Sequence, residues 1–115
     1  MTDIEILFSG VPVSNFDAAV DWYSTLFGRD CDVVVTDSEV MWRLADSAWL
    51  YVIEDAERAG HTLVSLCVSD LDQTLDDLKL RGVESGPVVA VGDAGRKATI
   101  QDADGNSMIF IEVQS

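Results

Sequence analysis

The first half of the chain combines one helical pattern of apolar positions with several short β-prone segments. Residues 4–13 are rich in β-formers and end beside a proline, which predicts a strand followed by a turn. Ser14 and Asn15 can cap a helix, and Asp17 lies where it meets the positive end of the helix dipole. A stripe of helical spacing then runs to Gly28, the predicted helix end: Phe16, Ala19, Val20, Tyr23 and Phe27.

The second half repeats this order of elements. Residues 33–36, 40–44 and 48–53 are predicted strands with Asp-Ser turns between them, and the polar stretch 54–60 connects the two halves. After it come a strand, a capped helix that ends at Gly82, and three more strands, predicted at 62–68, 69–82, 88–91, 97–101 and 108–113.

A shift of 55 positions superimposes Val13 on Val68 and Ser14 on Ser69. Two strand-to-helix turns could share good capping chemistry by chance, but the matching order of all five elements favours duplication. The pattern therefore predicts an α+β fold: two βαβββ modules, about 1–56 and 57–115, forming a curved mixed sheet with helices on its outer face. We expect a single domain over 1–115, because 115 residues are too few for two independent ones.

Charge narrows the classes of function. The chain has 7 basic and 21 acidic residues, a formal charge of −14, which repels nucleic-acid phosphates and anionic lipid. We therefore expect no nucleic-acid partner and no membrane partner. No apolar run approaches the ~20 residues of a membrane span, and the first five residues are acidic where a secretory signal is basic. These features predict a soluble, cytoplasmic protein.

The two cysteines, Cys31 and Cys67, lie in separate segments without a C-x-x-C spacing. In a reducing compartment we expect both to be small buried hydrophobic residues rather than a disulfide.

Several stretches carry a family resemblance. They are Val-Pro-Val-Ser-Asn-Phe at 11–16, Trp-Tyr at 22–23, Leu-Phe-Gly at 26–28, Cys-Val-Ser-Asp-Leu at 67–71, Leu-Arg-Gly-Val at 80–83 and Asp-Ala-Asp-Gly-Asn at 102–106. With these residues the chain resembles, over nearly its whole length, the vicinal oxygen chelate superfamily of glyoxalases, extradiol dioxygenases and bleomycin-resistance proteins. The last stretch looks superficially like a calcium loop but lacks the later ligands, so we interpret it as a hairpin turn.

In metal-using members of the family, the resemblance places ligands on the first, fifth and last strands. The corresponding residues here are Phe8, Leu63 and Ile109, and none of them can donate a lone pair to a divalent cation. A register error of one would offer Leu7, Thr62 or Phe110, which form no better set. We therefore expect no metal and no cofactor.

His61 is the only histidine and precedes Leu63 by two positions, so on a regular strand both would share a face. It could be a displaced ligand, a general base or a polar contact to a bound molecule. It could equally be a half-exposed histidine at a strand end. One imidazole without partners makes a poor metal site.

Strand alternation assigns Phe8, Leu63 and Ile109 to a cavity face that is apolar and suits an organic ligand. Trp42 and Trp49 lie on the third and fourth predicted strands, with Tyr51 on the same face as Trp49. These aromatic residues form either a wall that stacks on a flat ligand or ordinary core. Arg43 and Arg96 could orient an anionic substituent, although Arg96 follows a glycine hairpin, which favours a solvated side chain.

Three functions follow from these residues. The first is a metal-independent protein that binds or sequesters a small apolar or aromatic molecule, with no catalytic residue; its contacts are Phe8, Trp42, Trp49, Tyr51, His61, Leu63 and Ile109. The second is a metal-dependent lyase, isomerase or dioxygenase with relocated ligands around His61. The third is a structural or regulatory module whose cavity is closed by side chains. The resemblance also implies a homodimer that builds its cavity from strands of two subunits.

Overall fold

The computed structural model describes residues 2–113. Its elements, in chain order, are β1 (Leu7–Val13), α1 (Phe16–Phe27), β2 (Val33–Thr36), β3 (Glu39–Ala45), β4 (Ala48–Glu54), β5 (Leu63–Cys67), α2 (Leu71–Leu80), β6 (Val89–Val91), β7 (Gly95–Gln101) and β8 (Ser107–Val113).

Strand pairing divides the fold into two four-stranded mixed sheets. The N-terminal sheet has the order β1-β4-β3-β2, and the C-terminal sheet has the order β5-β8-β7-β6. In each sheet the first and last strands of the module pair in parallel, and the remaining pairs are antiparallel. The α+β fold of two βαβββ modules is thus confirmed, with a separate hydrogen-bonded sheet and one helix for each module.

The helix ends follow the predicted capping chemistry closely. The side chain of Asn15 accepts a hydrogen bond from the backbone of Ala18, and Gly28 ends α1 in the left-handed conformation at φ 73°. In α2, Asp70 accepts from the backbone of Gln73 at 3.0 Å. The C-cap of α2 is Arg81, one residue before the predicted Gly82.

The first strand is shorter than predicted, since β1 begins at Leu7 instead of residue 4. Leu7 pairs with Ala48, the first residue of β4, so β4 provides no partner for residues 4–6. Ile4 is accordingly 81% exposed.

The core lies between the helices and the faces of both sheets that are turned toward them. One continuous cluster joins the two modules, because side chains of each sheet and each helix contribute to it. Its largest fully buried members are Trp42, Tyr23, Leu26, Leu50, Leu71, Leu78, Ile100 and Met108.

A buried asparagine holds the modules together. Asn106, in the β7–β8 hairpin, is fully buried, and its Oδ1 accepts from the backbone N–H groups of Gly60 at 3.1 Å and Thr62 at 3.0 Å. Its Nδ2 donates to the carbonyl of Pro12 at 2.8 Å and to Asp102 at 2.9 Å. This one side chain therefore connects β1, the strand entry of β5 and the hairpin, and the hairpin prediction for 102–106 is confirmed.

Candidate functional site

Each sheet has a second face, opposite the helices, which we call its open face. On the N-terminal open face the strand register aligns three rows: Phe8–Trp49–Arg43, Gly10–Tyr51–Met41 and Pro12–Ile53–Glu39. On the C-terminal open face the rows are Cys67–Ile111–Lys97, Ser65–Ile109–Thr99 and Leu63–Ser107–Gln101. The alternation predicted for these strands is observed.

Three of the predicted aromatic contacts share the N-terminal open face. The rings of Phe8 and Trp49 lie side by side, with centroids 6.3 Å apart and planes inclined by 28°. Phe8 is 49% exposed. Tyr51 lies across Gly10 so closely that a Cβ at residue 10 would collide with the phenol ring. The glycine thus lets the tyrosine lie flat on the sheet beside the other two rings.

Trp42 occupies the opposite side of the same sheet. It is fully buried, packs against Phe27 with centroids 5.6 Å apart, and donates its indole N–H to the carbonyl of Arg29 at 3.0 Å. Trp42 is therefore a core residue in this chain, and the two tryptophans of β3 and β4 have different roles.

Two predicted aliphatic contacts lie together on the C-terminal open face. Leu63 is 72% exposed, and Ile109 is half-buried in the neighbouring row. Cys67 is exposed on this face as well and Cys31 is half-buried, so the expectation that both cysteines are buried was wrong. The sequence does contain the reason, since Cys67 alternates in phase with Leu63 on β5.

The three positions at which the family resemblance expects metal ligands hold hydrocarbon side chains in this chain. Phe8, Leu63 and Ile109 have hydrocarbon side chains without a donor atom. His61 is exposed in the segment before β5, and its ring makes no hydrogen bond to any residue of the described chain. Residues 2–113 contain no group of three His, Cys, Asp or Glu side chains that could hold an ion.

An apolar cavity lies beside the edge strands β1 and β5. Its volume is about 440 Å³, and its lining includes Leu7, Ser9, Trp49, Val64, Leu66 and Cys67. A smaller cavity of about 290 Å³ adjoins Tyr51, Gly10, Thr62 and Arg58. Of the predicted contacts, Trp49 lines the first and Tyr51 the second. Leu7 and Leu66 were missed because alternation assigns them to the helix side of their sheets, and both line this cavity.

The basic residues of β3 and β7 differ in the partners that they contact. Arg96 contacts Asp72 at 3.2 Å and Glu112 at 3.1 Å, and its side chain is 33% exposed, so it is partly solvated and also held by two carboxylates. The hydrogen bond to Asp72, then the one to Glu112, raises the pKa of Arg96 above its usual range. Arg43 is exposed and donates to the backbone carbonyl of Asp46 at 2.9 Å. Lys97, which belongs to no sequence motif, lies half-buried on the C-terminal open face.

Within residues 2–113, neither helix has the length and apolar character needed to cross a bilayer.

Solved structures resemble the chain over its full length. A glyoxalase/bleomycin resistance protein from Catenulispora acidiphila is 38% identical, covering 95% of this chain and 98% of its own, with a TM-score of 0.89. An antibiotic binding protein from a Streptomyces species is 21% identical, with 99% of both chains covered and a TM-score of 0.79. A bleomycin-binding protein complexed with bleomycin is 18% identical over 98% of this chain and 100% of its own, with a TM-score of 0.77. No protein-family model and no curated protein matches the chain.

The first of these relatives decides the family, because its identity is high over nearly the whole of both chains. With this relative and the paired βαβββ modules, the chain belongs to the glyoxalase/bleomycin resistance/dioxygenase superfamily, the vicinal oxygen chelate proteins.

Proposed function

We propose that this protein binds and sequesters a small apolar or aromatic molecule without the help of a metal ion. One observation carries the proposal: hydrocarbon side chains occupy the three expected ligand positions, Phe8, Leu63 and Ile109, and the first lies beside Trp49. A surface of this kind has no donor atom that can coordinate a cation. Displacement of its water by an organic molecule, in contrast, is favourable.

The aromatic surface of Phe8, Trp49 and Tyr51 suits a flat ring system. A ligand that removes about 150 Å² of apolar surface from water would gain on the order of 4 kcal/mol. Stacking on the indole or phenyl ring would add about 1 kcal/mol. His61 is retained as a polar contact at the rim, because it is exposed and precedes Leu63 by two positions.

Two structural neighbours support this class of ligand. One is described as an antibiotic binding protein and the other as a bleomycin-binding protein in complex with bleomycin. Because these neighbours are only 21% and 18% identical to this chain, the likeness extends to the fold alone. The proposed ligand therefore rests on the residues of this chain's own open faces.

We also propose that the protein is a cytoplasmic homodimer with two equivalent sites. Leu7, Phe8 and Leu63 are 63%, 49% and 72% exposed, which leaves large apolar side chains in water. β1 and β5 each have one strand edge that no strand of residues 2–113 pairs with. A second copy would cover both features and enclose a ligand between open faces of two subunits.

The test is tryptophan fluorescence across a panel of flat aromatic compounds, together with metal analysis of protein purified without chelator. Saturable quenching that Trp49→Phe abolishes and Trp22→Phe preserves would support the site, since Trp22 lies on α1, away from the open faces. A stoichiometric divalent ion in the purified protein would instead support the metal-dependent lyase, isomerase or dioxygenase with ligands around His61. No quenching by any compound would favour a structural module.

A further inference from the structure

Lys97 is the cation of the C-terminal open face. It lies on β7 between Val89 and Ile111 and is half-buried. Within residues 2–113 its ammonium group has neither an ion pair nor a hydrogen bond. Because part of the Lys97 side chain is buried and no carboxylate pairs with it, an anion that binds beside its ammonium group would make a charge-assisted contact.

The other basic side chains are engaged elsewhere, with one exception. Arg29, Arg43, Arg58 and Arg96 each have a carboxylate oxygen within 3.8 Å. Arg81 donates to the carbonyls of Thr25 and Leu26 at the C-terminus of α1. The exception is Lys79, which is exposed on α2. Lys97 is thus an unpartnered cation on the same open face as Leu63 and Ile109 of the proposed site.

Acidic residues are absent from the strand positions of the C-terminal open face. Of the 21 acidic residues, Glu39 alone occupies an open-face strand position, and it belongs to the N-terminal sheet. The strand positions of the C-terminal open face hold one charged residue, Lys97. At its strand positions, therefore, this face of a protein of charge −14 presents one cation and no carboxylate.

The residues around Lys97 define the shape of the preferred ligand. Thr99 and Gln101 follow it along β7 and place a hydroxyl and an amide in one column. Ile111 and Ile109 form the next column on β8, directly beside them. A polar column with one positive end thus lies against an apolar column.

From this arrangement, and resting on the proposed function, we propose that the ligand is an apolar ring system with a single anionic group, a carboxylate or a sulfonate, that pairs with Lys97. The rings would cover the isoleucines while the anion contacts the ammonium. One negative charge is preferred because the −14 field of the whole chain repels polyanions.

Two fluorescent probes with one ring skeleton test the proposal: anilinonaphthalene sulfonate, which is anionic, and phenylnaphthylamine, which is neutral. We expect Lys97→Met to weaken binding of the sulfonate about fivefold and to change binding of the neutral probe less than twofold. Lys97→Arg should retain the sulfonate affinity. Lys79→Met removes an equal charge outside the open faces and should change neither probe. Circular dichroism verifies that each variant is folded.

Equal loss of both probes in Lys97→Met would overturn the anion assignment, as would an equal loss of the sulfonate in Lys79→Met. Unchanged sulfonate affinity in Lys97→Met would overturn it too, while leaving the proposed function intact. If the wild-type protein binds neither probe and no compound of the quenching panel, the proposed function itself fails.

Discussion

The phenol of Tyr23, on the first helix, donates a 2.8 Å hydrogen bond to Oδ2 of Asp102, in the last hairpin of the other module. The same carboxylate accepts from the side chain of Asn106 and from the backbone of Asn106 and Asp104. Helix α1 is thereby connected to the polar cluster around Asn106 and Asp102, which links β1 to the start of β5. The fixed relation of the two modules, and so of the two open faces, depends on this polar cluster as well as on the apolar core.

Removing the phenol hydroxyl should weaken the fold. Tyr23→Phe keeps the packing against Trp42 and loses a hydrogen bond to a charged acceptor, so we expect a cost of about 1.5–3 kcal/mol in the free energy of unfolding. Tyr51→Phe is the matched control, because the Tyr51 hydroxyl has no hydrogen bond within residues 2–113. Urea denaturation measures both, and equal stability of the two variants would contradict the role of Asp102 as acceptor.

The same hydrogen bond predicts a pH dependence. Burial, and then the negative charge of Asp102, raises the pKa of Tyr23 far above its usual range near 10. The unfolded chain then releases this proton at lower pH than the folded chain, so the contribution to stability is complete below about pH 10 and declines above it. Wild-type protein should lose more stability between pH 9 and 11 than Tyr23→Phe. Parallel decline of the two in thermal unfolding would argue against it.

Asn106 is expected to be the most sensitive polar residue. Asn106→Ala leaves the N–H groups of Gly60 and Thr62 and the carbonyl of Pro12 without their partner, which we expect to cost about 3 kcal/mol or more. Asn15→Ala removes a single helix cap and should cost about 1 kcal/mol. A smaller loss for Asn106→Ala than for Asn15→Ala in urea titrations would mean that water replaces the side chain.

The elements were predictable because each is specified locally. The Asn15 cap, the Gly28 stop and the alternation of β5 depend on residues a few positions apart. The polar cluster around Asn106 and Asp102 was not predictable from the sequence pattern, because Asn106 contacts Pro12, 94 positions away. A turn motif does not reveal which backbone groups it will meet.

For the candidate site, the faces of the strands were predictable for the same reason. Alternation places Phe8, Trp49 and Tyr51 on one face, but it cannot say which face of the third strand is buried, and so could not assign Trp42. Arg96 and Lys97 are adjacent basic residues of β7, so their side chains lie on opposite faces of the C-terminal sheet. The partners Asp72 and Glu112 of Arg96 become visible only once α2 lies against β8.

Gly10 should be required for the position of Tyr51. A Cβ at residue 10 collides with the phenol ring, so Gly10→Ala is expected to cost about 1–2 kcal/mol and to turn the ring away from the sheet. Gly10→Ala with Tyr51→Ala should recover most of that cost relative to Tyr51→Ala alone. Gly86→Ala is the control, since its nearest neighbour, the carbonyl of Thr99, lies at 3.4 Å. Additive effects of the two substitutions would show that the collision is not the cause.

A charge on the exposed aliphatic surface should separate the proposed dimer. Leu63→Glu places a carboxylate among the exposed apolar side chains of the C-terminal open face, where a second copy would have to desolvate it. Leu80→Glu makes the same change on α2, at a side chain that is 86% exposed and outside both open faces. In sedimentation at micromolar concentration we expect wild type and Leu80→Glu to be dimers and Leu63→Glu to be a monomer. Because both leucines are largely exposed, neither substitution should disturb the core, so a changed mass reports on association rather than on folding. A dimeric Leu63→Glu variant would place the subunit contact elsewhere on the molecule, and a monomeric wild type would leave each open face to bind its ligand without a partner.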